Sequence, residues 1–348
     1  MPLYAAALRP LLFHLSPDRS HALAHMALRW AMPWQVLAAA SGLAVADERL
    51  RVRFAGVDLP NPVGLAAGFD KDCDLLESLS ALGFGHVTVG SIMPQSRFGN
   101  PFPRLVRYPE TRSLADSMGV PSKGRDHAAA RLAAFTRYVP LIANIGGFSA
   151  EDLIASFRLV APHVDAVELS LMCPNAKERK NFDELKLLRE TLGGLHEPER
   201  ARCVVRVPND TAQADERIAE LVEQCIERGV AGLKIGGGRP VAESRLGARQ
   251  GTLHGKTVFS TALENLKRAA SFARGRIPIK GNGGIFSGAD VIAMLRAGAV
   301  CVDLYSAFIY EGWTIARRIN RELVAAMDAA GVGSVSELAT QAAGTASA

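Results

Sequence analysis

Short apolar runs alternate with amphipathic segments from residue 50 onward. This alternation predicts an α/β fold, a TIM (β/α)8 barrel with a short N-terminal helical extension. Eight runs are typical of buried parallel strands: Pro62–Ala67, Val87–Ser91, Leu141–Ile145, Ala166–Leu171, Cys203–Val207, Gly232–Ile235, Ile277–Lys280 and Cys301–Tyr305. Helix-period segments separate most of them, for example Ala214–Arg228, Ala262–Arg274 and Asp290–Ala297. No GxGxxG motif follows the first strand, which counts against a doubly wound sheet.

The N-terminal extension comes first in chain order. Met1–Leu15 is rich in Leu, Ala, Tyr and Phe, and Ser16–Asp18 supplies an N-cap, a first-turn proline and an acid for a second helix to about Met32. Two short apolar helices ahead of a barrel suggest a segment that lies on a bilayer, and a helical cap on the barrel is a nearly equal alternative. No apolar stretch has the length of a spanning helix. Leu50–Val57 then predicts a short antiparallel strand leading into the barrel.

Composition limits the class of protein. The 348 residues are 48% apolar and 22% charged, as in folded globular proteins. We expect a helical segment at 1–45, a barrel at 46–335 and a frayed tail at 336–348. The five cysteines show no CxxC pair or metal-ligand spacing, so we expect reduced thiols, a cytoplasmic location and no metal site. The net charge of +5 comes without a basic run or interleaved aromatic residues, so we expect no nucleic-acid partner.

Glycine-rich or polar loops follow several predicted strands. They are Ala66–Lys71, Gly90-Ser91, Asn144–Gly147, Gly236–Gly238, Gly281–Gly284 and Tyr305–Ala307. Glycine lets the backbone approach a flat ring or a phosphate, and the loops after strands seven and eight are the usual phosphate site of a barrel. Because parallel strands bring these loops to one rim, they predict a bound phosphorylated cofactor.

A thiol ends the fourth predicted strand. The run Val167–Leu171 leads to Met172, Cys173, Pro174 and Asn175, and the proline keeps Cys173 out of helical geometry. A side chain delivered to the C-terminal end of a barrel strand is placed for chemistry, and a thiol there can transfer a proton. The alternative is that Cys173 is an inert, buried packing residue, as many free cysteines are.

At this point the residues resemble a known family, the dihydroorotate dehydrogenases, and specifically its membrane-associated, quinone-linked class 2. The stretches that carry the resemblance are Asn61–Lys71, Gly99–Pro101 with Pro103–Leu105, and Leu304-Tyr305 with Tyr310–Gly312. The resemblance runs from about Tyr4 to the helix after Glu311. It implies an FMN-containing barrel that removes a proton and a hydride from a dihydropyrimidine ring.

The resemblance also implies roles for individual residues. Residues that match flavin-binding positions are Ala67, Gly68, Ser91, Asn144, Arg206, Gly255, Gly283, Gly284, Tyr305 and Ser306. Cys173 matches the catalytic base, which is usually serine in class 2 and cysteine in class 1, and Lys71 matches a lysine near flavin and substrate. His21, Arg107 and Tyr305 match positions of the quinone tunnel, so residues 1–45 are expected to give quinone and membrane access. The protein would then lie at the inner face of a membrane.

The sequence departs from the family in the substrate pocket. The family uses a ring of asparagines, whereas this chain has Val120-Pro121-Ser122, Ser170 and the run Gly236–Gly238 at the corresponding places. The residues expected to line the pocket are Lys71, Ser122, Ser170, Asn175 and Gly237. The lysine expected beside the flavin on strand five is replaced by Arg206, which keeps the charge and changes the geometry.

Three functions are consistent with this pattern. The first is an FMN-dependent oxidoreductase acting on a C–C or C–N bond next to a carbonyl, with a substrate other than dihydroorotate, because unpaired polar groups in a pocket discriminate strongly. The second is an authentic quinone-linked dihydroorotate dehydrogenase with a compensating pocket. The third is a non-catalytic flavin- or lipid-binding protein. Reduction of the flavin by dihydroorotate distinguishes the first two.

Overall fold

The computed structural model describes residues 4–171, 183–207 and 215–341. Along these residues the strands are β1 (Val52–Phe54), β2 (Val57–Leu59), β3 (Val63–Leu65), β4 (His86–Ile92), β5 (Leu105–Tyr108), β6 (Ser113–Asp116), β7 (Leu141–Gly146), β8 (Ala166–Ser170), β9 (Cys203–Arg206), β10 (Gly232–Gly236), β11 (Arg239–Ala242), β12 (Gln250–Gly255), β13 (Ile279–Asn282) and β14 (Ala299–Leu304). Eight of them close into a barrel in the order β3-β4-β7-β8-β9-β10-β13-β14. Each neighbouring pair in the barrel is parallel, which confirms the predicted TIM barrel.

Each of the eight predicted strand runs overlaps one barrel strand, and the seventh run, Ile277–Lys280, begins and ends two residues before β13. The reason is visible in the burial of β7 and β8, in which every residue is buried. Parallel strands covered by helices on the outside and packed side chains on the inside have no solvent-facing side, so they are continuous apolar runs in the sequence. Short β1 and β2 form a separate antiparallel hairpin, close to the strand predicted at Leu50–Val57.

Helices surround the barrel and precede it. In chain order they are α1 (Arg9–His14), α2 (Pro17–Leu28), α3 (Trp34–Ala40), α4 (Leu76–Ser80), α5 (Arg125–Ala133), α6 (Ala150–Val160), α7 (Glu184–Gly194), α8 (Glu197–Arg200), α9 (Asp215–Glu227), α10 (Phe259–Ala273), α11 (Gly288–Arg296), α12 (Ser306–Glu311), α13 (Ile315–Ala330) and α14 (Val335–Thr340). Serine caps fix the starts of several of them, since Ser149 accepts from Asp152 N at α6 and Ser287 accepts from Asp290 N at α11.

A second sheet lies outside the barrel and was not predicted. It is antiparallel, with the order β11-β12-β6-β5, and it joins the excursion after β4 to the excursion after β10. Tyr310 at the end of the chain's last barrel unit donates its hydroxyl to Ser113 O on β6 at 2.7 Å. This sheet therefore packs beside α12, the helix that follows β14.

The N-terminal helices are attached to the same side of the molecule. Tyr4 donates its hydroxyl to Ile309 O at 2.6 Å, and Arg9 Nη1 donates to Tyr310 O at 3.0 Å. No residue of α1, α2 or α3 is buried, and the exposed apolar side chains of this segment include Met26 on α2 and Trp30 between α2 and α3. The second helix ends at Leu28, earlier than the predicted Met32. Among the described residues no helix is long and apolar enough to cross a membrane.

The predicted frayed tail needs correction at its beginning. Residues 336–340 belong to α14, a helix capped by Ser334, whose side chain accepts from Glu337 N. Leu338 is buried in the core, and Val335 is fully buried. The apolar contacts with the barrel's outer helices hold this short helix in place. The rest of the predicted tail, 342–348, lies outside the described residues.

Candidate active site

Backbone hydrogen bonds join rim loops to the ends of neighbouring barrel strands. Gly68 N donates to Gly90 O at 2.6 Å, which links the loop after β3 to the last part of β4. Gly237 N donates to Asn282 O at 2.9 Å, which links the loop after β10 to the last residue of β13. Both bonds lie at the C-terminal ends of the strands, the end at which barrels of this type carry their active sites.

A cavity opens at this rim between the loops after β13 and β14. Its lining includes Gly237, His254, Gly255, Asn282, Gly283, Gly284, Phe286, Asp303, Tyr305 and Ser306. Five of the predicted flavin-binding residues and one predicted substrate residue therefore line a single cavity. His254 also lines it, and the sequence had not singled this residue out.

The glycines of this cavity fit a close backbone approach by a phosphate. A Cβ on Gly284 would lie 2.7 Å from Phe259 N and 2.8 Å from Gly255 O, at a φ of +70°. A Cβ on Gly283 would lie 2.8 Å from Ala262 Cβ, at a φ of +119°. Side chains at these positions would fill the space and strain the backbone, so the cradle depends on glycine.

Asn144 provides a second sign that a polar ligand belongs at the rim. Its Nδ2 donates to Glu168 Oε1 at 2.8 Å. Its Oδ1 is buried and has no hydrogen-bond partner within residues 4–171, 183–207 and 215–341. A buried acceptor without a partner costs free energy, so this oxygen is suited to an N–H group of a bound ring.

Lys71 lies beside a charged pair that the sequence did not predict. Its Nζ donates to Gly68 O. Burial lowers the pKa of Lys71, and the carboxylate of Asp116 opposes that shift. Asp116 Oδ2 lies 2.7 Å from His254 Nε2. Burial acts to raise the pKa of Asp116, but its interactions with His254, Met118 N and Lys71 together outweigh burial, so the pKa is lowered. Asp116 is therefore held as a carboxylate.

A group of charged side chains fills the barrel interior below this rim. Lys280 Nζ lies 3.0 Å from Glu168 Oε2 and 3.0 Å from Asp303 Oδ2. Lys234 Nζ lies 3.1 Å from Glu168 Oε1 and 2.9 Å from Asp303 Oδ2. Burial acts to raise the pKa of Glu168, but the two lysines dominate and lower it to about 2. His86 Nε2 completes the group at 2.8 Å from Asp303 Oδ1.

Two of the three predicted quinone residues lie on either side of one aromatic ring. The Phe69 ring lies 6.0 Å from the His21 ring and 6.5 Å from the Tyr305 ring. The His25 ring is tilted against two of these rings, with its centre 4.2 Å from that of His21 and 5.1 Å from that of Phe69. Burial lowers the pKa of His21 to about 2 and that of His25 to about 4, and Lys71 adds to both shifts. Both imidazoles are therefore neutral at pH 7.

Arg107, the third predicted quinone residue, contacts the N-terminal helices. Its guanidinium carbon lies 4.2 Å from the centre of the Phe13 ring, and its Nη2 donates to Leu15 O. Arg107 therefore lies at the junction between α1 and the second sheet. The rings of His21, His25 and Phe69 connect α2 with Tyr305 at the rim, and Arg107 connects α1 with the second sheet.

The remaining predicted residues are distributed as follows. Ser122 is buried, and its hydroxyl accepts from Met93 N at 3.3 Å and Gly124 N at 3.1 Å, so it supports a loop. Ser170 is the last residue of β8, and Ser91 lies on β4. Arg206 ends β9, in register with Lys234. Ala67 lies at the rim just after β3. Cys173 and Asn175 lie outside the described residues.

The fold and this rim together define a class: an enzyme built on a parallel barrel with a glycine-lined cavity at the C-terminal ends of its strands. The family model for dihydroorotate dehydrogenase matches residues 49–327. The chain belongs to the dihydroorotate dehydrogenase family.

Relatives and solved structures agree with this assignment. A dihydroorotate dehydrogenase (quinone) from Methylococcus capsulatus is 34% identical, covering 93% of this chain and 99% of the relative. The protein of the same name from Thermus thermophilus is 34% identical, covering 94% and 98%. The crystal structure of Eimeria tenella DHODH in complex with ferulenol has a TM-score of 0.79 and 25% identity, covering 93% of this chain and 94% of that one.

Membership makes the protein an FMN-dependent oxidoreductase that acts on a CH–CH group. The cradle of Gly255, Gly283 and Gly284 fits the cofactor's phosphate, and the open acceptor of Asn144 fits a ring N–H. The expectation of a substrate other than dihydroorotate is not supported by these relatives. They favour the alternative, an authentic dihydroorotate dehydrogenase.

Proposed function

We propose that this protein oxidises dihydroorotate to orotate and passes the electrons to a quinone. The observation that carries the proposal is the glycine-lined rim cavity, in a chain whose relatives are quinone-linked dihydroorotate dehydrogenases over almost their whole length. Lys71 interacts electrostatically with Asp116, and Asp116 pairs with the cavity residue His254. An ammonium beside a flavin site suits a substrate that bears a carboxylate. The net charge of +5 also favours an anionic substrate.

Oxidation of the ring takes a proton from one carbon and a hydride from its neighbour. FMN, when bound, supplies the acceptor for the hydride. Cys173 takes the proton in this proposal, because in the sequence it comes three positions after Ser170, the last residue of β8, and a thiol can transfer a proton. Lys71 pairs with the substrate carboxylate. Arg206 at the end of β9 and Asn144 within β7 would orient the flavin ring in this proposal.

The electron acceptor enters from the N-terminal helices in this proposal. The neutral rings of His21 and His25, together with Phe69, give an apolar route from α2 toward Tyr305. The exposed apolar residues of α1 to α3 suit the surface of a bilayer, in which a quinone dissolves. They are Leu8, Leu11, Leu15, Leu23, Met26, Trp30, Met32, Val36 and Leu37. Peripheral contact with a membrane follows from the same surface.

Anaerobic mixing of the FMN-loaded protein with dihydroorotate tests the first half of the proposal. We expect bleaching of the flavin absorbance, followed by recovery on addition of a short-chain quinone. Cys173→Ala should slow the bleaching by about 10²-fold or more with FMN still bound. Normal rates in this variant would assign Cys173 to packing.

Deletion of residues 1–41 tests the second half. We expect loss of quinone turnover and of vesicle binding in flotation, with unchanged flavin reduction by dihydroorotate. Unchanged quinone kinetics would mean that the segment is a cap on the barrel.

One observation favours a second candidate, an oxidoreductase of the same family with another carbonyl-conjugated substrate. Ser170, Pro121 and Gly237 occupy places where the family has asparagines, which removes amide groups from the pocket. Flavin bleaching by dihydroorotate at a catalytic rate would exclude this candidate.

A further inference from the structure

We propose that His254, positioned by Asp116, is the residue that recognises the amide edge of the substrate ring in this pocket. The inference deepens the proposed function and rests on it, because it identifies what replaces the missing asparagines. His254 lines the rim cavity together with Gly237 and Tyr305. It is thus the one imidazole that the described residues bring to that cavity.

Asp116 fixes the orientation and the tautomer of His254. The carboxylate accepts at 2.7 Å from His254 Nε2, and Met118 N donates to its other oxygen at 3.3 Å. The two residues are on adjacent strands, since Thr252 pairs with Asp116 and His254 pairs with Leu114. An imidazole that donates from Nε2 to a carboxylate carries its lone pair on Nδ1. Nδ1 can therefore accept a hydrogen bond from a ring N–H.

The glycine run after β10 makes room for this ring. A Cβ on Gly238 would lie 2.6 Å from His254 Cε1, so the imidazole occupies the space that a side chain at position 238 would need. The sequence has the glycine run Gly236–Gly238 at a place where the family has an asparagine. In the structure the freed space at Gly238 is taken by His254 and by Thr252 Cγ2. His254 on β12 thus supplies a polar group at the place where the loop after β10 has glycine and no polar side chain.

The charges nearby suit a ring with an amide N–H next to a carboxylate. Lys71 supplies an ammonium for the carboxylate, and its interaction with Asp116 places it close to the His254–Asp116 pair. The Tyr305 ring, 6.4 Å from the His254 ring, closes the same side of the cavity. An acceptor on His254 and an ammonium on Lys71, both interacting with Asp116, are complementary to that edge of dihydroorotate and orotate.

Binding of orotate to the FMN-loaded protein tests the inference without turnover, because a ring stacked on the flavin perturbs its absorbance. We expect His254→Ala to weaken orotate binding about 5–100-fold, the usual cost of leaving a buried N–H donor without its acceptor. The KM for dihydroorotate should rise by a similar factor, and the FMN content should stay that of the wild type. His254→Asn, which keeps an amide acceptor, should recover most of the affinity.

Two further variants separate positioning from general damage. Gly238→Ala keeps His254 but displaces its ring, so it should weaken orotate binding as His254→Ala does. Tyr108→Phe is the matched control: it removes a hydroxyl contact to Glu243 in the same four-stranded sheet, and orotate affinity should be unchanged. Asp116→Asn should weaken binding less than His254→Ala, because the histidine remains.

The outcomes are distinct. If dihydroorotate reduces the flavin but orotate binding does not depend on His254, this inference alone is overturned. Loss of FMN from His254→Ala would also overturn it, by making His254 a cofactor ligand. If orotate binding depends on His254 but dihydroorotate does not reduce the flavin, the inference is supported and the proposed function is overturned. No orotate binding by the wild type would overturn both.

Discussion

The charged group inside the barrel gives a quantitative stability prediction. We expect Lys280→Met to lower the free energy of unfolding by about 3–5 kcal/mol, the usual cost of leaving a buried charge without its partner. Lys280 is fully buried, and its Nζ lies 3.0 Å from both Glu168 Oε2 and Asp303 Oδ2. In the variant, Lys234 is the one ammonium of this group that remains to pair with the carboxylates of Glu168 and Asp303. Within the described residues, the group then has one negative charge without a partner.

This loss can be converted to a shift in melting temperature. At about 2.1 cal/mol/K of unfolding entropy per residue, a chain of 348 residues should show a fall in Tm of about 4–7 °C. Scanning calorimetry and denaturant unfolding of the FMN-loaded protein measure it. Lys267→Met is the matched control: Lys267 pairs with Glu264 at 2.8 Å, but the side chains are 54% and 64% exposed, so we expect a change within about 0.5 kcal/mol.

A double variant tests the physical reason. Adding Glu168→Gln to Lys280→Met removes the excess charge, so the double variant should be more stable than the sum of the two single effects by about 1 kcal/mol or more. Strict additivity, or a Lys280→Met effect no larger than that of Lys267→Met, would refute the reasoning that these charges stabilise one another.

Three other predictions follow from positions with well-defined surroundings. Gly284→Ala should yield protein with little FMN by absorbance, while Gly275→Ala, at a similar φ of +72° with open space around it, should retain FMN. Burial lowers the pKa of His25 in the folded protein to about 4, from its ordinary value of 6.5. As the pH falls below 6.5, the unfolded chain therefore binds a proton that the folded protein does not, and the free energy of unfolding decreases. His25→Phe should remove about 2 kcal/mol of the decrease that urea unfolding measures between pH 7 and pH 5. Gly312→Ala would place a Cβ against the Tyr4 ring and should make the N-terminal helices more susceptible to limited proteolysis.

The barrel could be predicted because each of its strands is a local signal. A parallel strand buried on both sides must be a short apolar run, and turn residues must follow it, so β7 and β8 are visible in the sequence without knowledge of their neighbours. The glycines of the phosphate cradle are equally local, because their positive φ values allow few other residues. For the same reason the cofactor class could be predicted.

What only the tertiary structure decided are the pairings between distant residues. Asp116 and His254 lie on strands far apart in sequence, and neither stands in a recognisable motif, so their hydrogen bond follows from the pairing of β6 with β12. Likewise, Glu168 and Lys280 each interrupt an apolar strand, and the sequence cannot say that they meet. Closure of the barrel brings β8, β10, β13 and β14 around one axis, and a buried charge is tolerated only where such closure supplies its partner.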